Sequence, residues 1–324
     1  MTKNRYAMLT VDTEALPNRA SEDHVNRLIL GKHGEHRAGV LEMADLASEY
    51  GAGMIFFVDM CGSWEQREEI GAVIRQLMER GQDVQLHAHP EYLPDSFWTE
   101  RKLNKRPYYL NDYPQDRADF MLSLLAQELN RFTGEKTRAF RAGSFRWNSA
   151  TLTALQKIGV KYSFNNSMCA MYNKQCPFSI PTNKPYQWSN GIIEIPVTEK
   201  QIFSFINPNW WARLQYPQSK YFRHRPALFN FLPGSTSAEL NPAIFLIHSW
   251  SFLHRNHEGY EIYQNDELMD NFRKFVRRLT LDFDIVTTKD LEELIADKKI
   301  EINSIQDIHQ ADAPPKKTAI HAKK

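Results

Sequence analysis

Short apolar runs alternate along the chain with longer segments that carry apolar residues three or four positions apart. The short runs are rich in β-branched and aromatic residues, which is typical of strands, whereas the longer spacing is typical of helices. The predicted strands are 6–12, 54–58, 84–87, 138–141, 160–164, 192–197, 243–248 and 283–287. The predicted helices are 38–50, 64–80, 118–132, 149–157, 265–279 and 290–296.

This alternation predicts an α/β protein with a largely parallel sheet, and the continuously apolar strands indicate a sheet that is covered on both faces. A single domain is expected over residues 1–300. Residues 171–242 are poor in helix signals and rich in proline, asparagine and aromatic residues, so they are interpreted as a long loop insertion. Residues 301–324 end in a basic segment and are expected to be a disordered tail.

Two pairs of metal-ligand residue types follow predicted strands. Asp12 and Glu14 end the first strand, and His87 and His89 end the third. Side chains two positions apart in a strand point the same way, so each pair presents two groups on one face. Imidazole and carboxylate are the usual ligands of a catalytic divalent metal. Either pair alone is more typical of a polar strand end, but the two together favour a metal site.

Two further polar residues end strands. His248 closes the most apolar strand, where it is either an acid that protonates a leaving amine or a histidine that is hydrogen-bonded in the core. Arg141 ends another strand, where it either orients a carboxylate or lies at the surface. The carboxyl ends of parallel strands form the ligand edge of both barrels and open sheets. Because hydrolysis needs a base, an acid and often a metal, the pattern indicates a metal hydrolase.

Composition excludes several classes of protein. The chain has 324 residues, a formal net charge of +1 and 42% hydrophobic residues, which suits a globular protein with a large core and without the basic face of a nucleic-acid binder. It contains no dinucleotide fingerprint and no phosphate-binding loop. Neither a signal peptide nor an apolar run long enough for a membrane span is visible. A cytoplasmic location is therefore expected.

Taken in chain order, four strand-end motifs resemble those of the polysaccharide deacetylases, the NodB homology group of carbohydrate esterases. The motifs are TVDTE at 10–14, LHAHP at 86–90, FRAGSF at 140–145 and LIHSW at 246–250, and the resemblance covers roughly residues 5–290. It implies a distorted (β/α)7 barrel and metal-dependent hydrolysis of an acetyl group, most simply N-acetyl, on a sugar or glycan precursor. It also suggests a cytoplasmic branch of the group that acts in O-antigen and surface-polysaccharide synthesis.

The resemblance also implies a role for each motif residue. Asp12 would be the general base, Arg141 would tune it, and His248 would be the general acid. Glu14 stands where the group usually has a metal-binding aspartate, and His87 would be the first metal histidine. The metal would be zinc, the default for two histidines and one carboxylate.

The motifs depart from the common pattern at two points. The group usually has two adjacent aspartates, whereas here Thr13 separates the two acids. The common second motif has histidines four positions apart, but position 91 is a glutamate. His89 is therefore the candidate third ligand, with Glu91 as the alternative.

Aromatic residues beside the motifs or in the long loop insertion are candidates for contact with a sugar, because ring faces stack well on sugar faces. They are Trp147, Trp210, Trp211 and Trp250. Ordinary packing against the body of the protein is the alternative for each of them. The expected partner is thus an acetylated sugar or glycan precursor. Two other functions stay open, namely hydrolysis of another carbon–nitrogen bond in a small amide, and carbohydrate binding by a protein whose metal site has been lost.

Overall fold

The computed structural model describes residues 5–201, 211–217 and 241–312. The helices are α1 (Val40–Ser48), α2 (Arg67–Glu79), α3 (Asp95–Glu100), α4 (Gln115–Thr133), α5 (Ser149–Lys157), α6 (Met168–Tyr172), α7 (Glu267–Asp282) and α8 (Leu291–Ala296). The longer strands are β1 (Tyr6–Thr13), β4 (Met54–Asp59), β5 (Asp83–Ala88), β6 (Ala139–Ala142) and β12 (Ala243–His248). The shorter strands are β2 (Lys32–His33), β3 (His36–Arg37), β7 (Tyr162–Ser163), β8 (Tyr186–Trp188), β9 (Ile193–Glu194), β10 (Glu199–Gln201), β11 (Trp211–Arg213), β13 (His254–Arg255), β14 (Glu261–Ile262), β15 (Asp284–Ile285) and β16 (Ile305–Gln306).

The main sheet contains a run of parallel strands in the order β12, β1, β4, β5, β6, β7 and β9. Beyond β9 the sheet continues through antiparallel β8 to β16, and β15 pairs with the start of β1. The central strands β1, β4, β5 and β6 are buried along their whole length. The continuous apolar runs thus correctly predicted a parallel sheet that is covered on both faces.

A short segment joins the two ends of the parallel run. The Leu214 N–H donates at 3.0 Å to the carbonyl of Thr198, which lies between β9 and β10. The Leu246 N–H of β12 donates to the Leu214 carbonyl at 2.9 Å, and the Tyr216 N–H donates to the Leu246 carbonyl at 2.9 Å. Residues 214–216 therefore bridge the segment after the last parallel strand, β9, to the first strand of the run, β12, which is the distorted barrel arrangement that the resemblance implied.

The helices pack outside the strands through their apolar faces. In α4 the buried face consists of Ala118, Met121, Leu122, Leu125, Ala126, Leu129 and Phe132. Asn148 caps the N-terminus of α5, because its side chain accepts a hydrogen bond from the Thr151 N–H at 2.9 Å. Gly134 ends α4 with a φ of 69°, a conformation that glycine adopts without strain. Within the described ranges, no helix combines the length and the apolar character needed to cross a membrane.

Part of the expected tail packs against the body. β16 pairs with β8, and the Asp312 carboxylate accepts a hydrogen bond from the Ser149 N–H at 2.9 Å. The apolar pattern did not reveal this contact, because backbone pairing and a helix-end hydrogen bond leave no periodic signal. The predicted insertion at 171–242 contains β8 to β11. Residues 202–210, 218–240 and 313–324 lie outside the described ranges.

Candidate metal centre and catalytic residues

Strand register brings the predicted site residues to one edge of the sheet. In the β1–β12 pair Asp12 lies opposite His248, and in the β5–β6 pair His87 lies opposite Arg141. β4 separates these two pairs of strands and places Asp59 opposite His87. All of these positions are at the carboxyl ends of their strands, where parallel β/α proteins bind ligands.

Glu14, His87 and His89 form a compact buried cluster. The Nε2 atoms of His87 and His89 lie 2.7 and 3.0 Å from Glu14 Oε1. The three side chains are 1–5% exposed, and their candidate ligand atoms lie within 4.8 Å of one another. The Glu14 backbone is held beyond the end of β1 by Ser249, whose hydroxyl oxygen accepts from the Glu14 N–H at 3.3 Å and whose hydroxyl donates to the Glu14 carbonyl at 3.2 Å.

Opposite charges dominate the acid–base behaviour of this cluster. Burial by itself would raise the pKa of Glu14, but the charge of His89 and hydrogen bonds from both histidines hold that pKa well below its usual range. Burial likewise works to lower the pKa of His89, but Glu14 and Glu91 outweigh it and raise the pKa well above its ordinary value. The metal-free cluster therefore keeps a carboxylate facing a protonated imidazole.

The donor set fits a divalent transition metal. Two imidazole nitrogens converge on one carboxylate oxygen, and two histidines with one glutamate are a recognised set of ligands for catalytic zinc. A cation at this point would replace the imidazole protons that now face Glu14, so metal binding would release protons. Glu91 is not a member of this cluster, which consists of Glu14, His87 and His89.

The backbone around His89 is shaped to admit its ring. A Cβ placed on Gly143 would lie 2.4 Å from the Cγ of His89, so a larger residue cannot occupy position 143 with the ring in place. On the other side, Asp59 Oδ1 accepts from the His89 N–H at 3.1 Å. The same carboxylate accepts from the N–H groups of Cys61 and Gly62, both at 3.0 Å. Asp59 was not among the predicted site residues, although its place at the end of an apolar strand is the same signal that selected Asp12 and His87.

Replacing Gly143 with alanine is expected to weaken zinc binding about 10-fold or more, because the new methyl group displaces the His89 ring. Overpacking of this kind typically costs about 1–3 kcal/mol, and 1.4 kcal/mol corresponds to a factor of 10 in affinity. The measurement is zinc affinity by competition with a chromogenic chelator. Gly53→Ala is the control, since Gly53 precedes β4 at the opposite end of the strand, where its added Cβ would meet a Thr287 methyl group at 3.1 Å. Equal affinities in the two variants would contradict this role of Gly143.

Arg141 and Asp12 form a buried ion pair beside the cluster. Arg141 Nη1 donates to Asp12 Oδ1 at 2.6 Å, and Nη2 donates to Thr10 Oγ1 at 2.9 Å. The guanidinium is fully buried and lies 4.4 Å above the ring of Phe57. Burial lowers the pKa of Arg141, although the charge of Asp12 opposes this effect. The surface position that the sequence left open for Arg141 is thus not the one that it occupies, and its contacts fix the orientation of Asp12.

His248 lies on the other side of Asp12 and is partly exposed. Its Nδ1 faces the Gln215 side-chain nitrogen at 3.4 Å, and its ring stacks on Trp250 with 4.9 Å between centroids. The Arg19 guanidinium lies 4.3 Å from the Trp250 centroid. Burial lowers the pKa of His248, the charges of Arg19 and His87 act in the same direction, and Glu14 and Asp12 oppose them. Their balance lowers the pKa of His248, so its imidazole takes up a proton at a lower pH than a free histidine does.

The predicted aromatic residues have different surroundings. Trp147 is fully buried against Trp188, with 5.7 Å between ring centroids, so packing rather than sugar contact describes it. Trp250 is 4% exposed and supports His248. Trp211 is partly buried in β11, which pairs with β10. Trp210 lies outside the described residues.

Comparison with known proteins gives a structural likeness. No family sequence model matches the chain, and no curated protein matches it. A structure from Mycobacterium smegmatis, assigned to the polysaccharide deacetylases, superposes with a TM-score of 0.57 and 14% identity, covering 94% of this chain and 95% of that one. A 4-alpha-glucanotransferase from Thermococcus litoralis superposes with a TM-score of 0.57 and 12% identity, covering 95% of this chain and 42% of that one. The chain therefore has the fold of the polysaccharide deacetylases, which the glucanotransferase shares over part of its length.

Proposed function

We propose that this protein is a metal-dependent deacetylase that hydrolyses an acetyl group on a sugar or glycan precursor. The observation that carries the proposal is the buried Glu14–His87–His89 cluster, with the Asp12–Arg141 pair and His248 at the same edge of the sheet. The order of the four strand-end motifs and the fold likeness to the M. smegmatis protein support the same activity. Because the glucanotransferase has a similar fold, the fold by itself does not select the reaction.

Each side chain has a distinct part in the proposed reaction. Glu14, His87 and His89 would hold the metal, which when bound supplies Lewis-acid chemistry that polarises the acetyl carbonyl. Asp12 accepts the proton of the attacking water, and Arg141 keeps its carboxylate aimed at that water. His248, which is partly exposed and pairs with Asp12, would donate a proton to the leaving group from its imidazolium form.

An N-acetyl group suits this arrangement better than an O-acetyl group. An amine is a poor leaving group unless its nitrogen is protonated as the carbon–nitrogen bond breaks, so amide hydrolysis depends strongly on a positioned acid. His248 provides such an acid opposite the proposed base. We further propose zinc as the metal and a sugar unit of a surface-polysaccharide precursor in the cytoplasm as the substrate.

The test is acetate release by zinc-loaded protein from a panel of acetylated compounds. The panel contains N-acetylhexosamines, their oligosaccharides and nucleotide-linked forms, O-acetylated sugars and small amides. We expect acetate and a free amino sugar in equal amounts from an N-acetylated sugar, loss of turnover with a chelator, and recovery when zinc is restored. Turnover of small amides alone would favour the other carbon–nitrogen hydrolase. Sugar binding without acetate release would favour a binding protein.

A further inference from the structure

We propose that Glu91 is a positioning residue that holds the His89 imidazole with Nε2 turned toward Glu14 and His87. This inference rests on the proposed metal site and assigns a role to the glutamate that stands where related motifs have a second histidine. The sequence left Glu91 and His89 as alternatives for the third ligand. In the structure His89 faces the cluster, and Glu91 contacts the ring nitrogen of His89 that faces away from it.

The two nitrogens of His89 face opposite sides. Nε2 lies 3.0 Å from Glu14 Oε1, and Nδ1 lies 3.0 Å from Glu91 Oε1. An ionised carboxylate only accepts hydrogen bonds, so His89 Nδ1 carries the proton and donates it to Glu91. Because Glu91 holds the Nδ1 proton, the proton that metal binding releases from His89 is the one on Nε2, and its loss frees the Nε2 lone pair. A carboxylate bound in this way to the far nitrogen of a metal-ligating histidine fixes both its tautomer and the orientation of its ring.

The local backbone explains why His89 needs such support. His87 lies within β5, where its neighbours in β4 and β6 hold it by strand pairing. His89 lies after the last residue of β5, and a 3-10 turn at Pro90–Tyr92 returns the chain so that Glu91 reaches the ring. Asp59 holds the His89 N–H, while Gly143 leaves space for the ring. Glu91 supplies the contact that sets how the ring is rotated.

His87 and His89 differ in what contacts the ring nitrogen that faces away from Glu14. Within the described residues, His87 Nδ1 is buried without a hydrogen-bond partner, whereas His89 Nδ1 has the Glu91 carboxylate. Strand pairing fixes the direction of the His87 side chain, so a second anchor is less important there. The side chain of Glu91 is 14% exposed, which is enough burial to keep the contact from being screened as a surface pair would be.

Replacing Glu91 with alanine is expected to lower zinc affinity by about 10–100-fold while one equivalent still binds. Glu91→Gln keeps an acceptor oxygen without the charge and should lie between alanine and the wild type. His89→Ala should bind no stoichiometric zinc. This result would distinguish the loss of a metal ligand from the loss of a residue that orients one. Glu65→Gln is the control, because Glu65 is an exposed glutamate whose carboxylate accepts a hydrogen bond from the Ser96 hydroxyl at 3.2 Å. Affinity is measured by competition with a chelator, and cobalt absorption spectra report whether the ligand set is unchanged.

A second readout does not need metal. In ¹⁵N-histidine-labelled protein, the Nδ1 proton of His89 should be visible and protected from exchange in the wild type and lost to exchange in Glu91→Ala. Wild-type zinc affinity in Glu91→Ala, or an altered cobalt spectrum with loss of the bound equivalent, would overturn the positioning role. A wild type that binds no zinc would overturn the proposed function instead, and the His89 Nδ1 proton would then decide the role of Glu91 by itself.

Discussion

Replacing His87 with alanine is expected to abolish stoichiometric zinc binding and, with it, acetate release. His87 Nε2 makes the shortest contact in the cluster, 2.7 Å to Glu14 Oε1, and is 1% exposed, so water is a poor substitute for the lost nitrogen. The loss of affinity should exceed the roughly 100-fold upper range for removing an outer partner of a metal ligand. The measurement is metal content by elemental mass spectrometry after dialysis against buffer of defined zinc concentration.

Thermal unfolding gives an independent check of the same variant. A ligand present at about 100 times its dissociation constant stabilises the folded state by about 2.7 kcal/mol, so zinc should raise the Tm of the wild type but not that of His87→Ala. His33→Ala is the control, because His33 is a partly buried histidine whose Nε2 contacts the Arg27 carbonyl in another part of the fold. Retention of one tightly bound zinc by His87→Ala would show that the metal site has been assigned to the wrong residues.

Replacing Asp12 with asparagine is expected to lower kcat by about 10²–10⁴-fold while one equivalent of zinc stays bound. This range is the usual contribution of a general base. Zinc should be retained because the Glu14–His87–His89 cluster does not include Asp12. Asparagine keeps an oxygen for Arg141 but loses the charge that compensates the buried guanidinium. Kinetics and zinc content are measured on the same preparation.

Loss of a buried carboxylate also affects folding, so this variant needs a matched control. Asp83 is a buried aspartate at the start of β5, whose Oδ2 accepts from the N–H of Thr288 at 2.8 Å and from its hydroxyl at 2.6 Å. Asp83→Asn should lower the free energy of unfolding and keep kcat, because it lies at the end of the strand opposite the site. If Asp12→Asn released acetate at the wild-type rate, Asp12 would not be the base. If Asp83→Asn lost as much activity as Asp12→Asn, the loss would reflect folding rather than chemistry.

Local signals account for the elements that the sequence predicted well. Strand 243–248 and helix 149–157 have the predicted bounds, since an uninterrupted apolar run defines the first and Asn148 caps the second. Helices α3 and α6 were missed, because they are short and their apolar residues are too few to show a period. The pairing of β16 with β8 joins parts of the chain more than a hundred residues apart, and such pairing depends on backbone groups that every residue has.

The candidate site, like the fold, was predicted only in part from the sequence. The sequence by itself determined which residues end the strands, and the two-residue repeat of a strand predicted Asp12 with Glu14 and His87 with His89 on common faces. In the structure Glu14 and His89 lie one residue beyond β1 and β5. It did not determine whether His89 or Glu91 faces the cluster, because that depends on a turn at Pro90–Tyr92 and on the space left by Gly143.

The tertiary structure decided which of these groups meet and how they ionise. Strand register, a property of the whole sheet, placed Asp12 opposite His248 and His87 opposite Arg141. Burial then made the attraction between Glu14 and His89 strong enough to shift the pKa of each, which no spacing in the sequence can report. The sequence alone thus determined the residue types and their order at the strand ends. Their distances and charges came from the fold, because both depend on atoms that are remote in the chain and close in space.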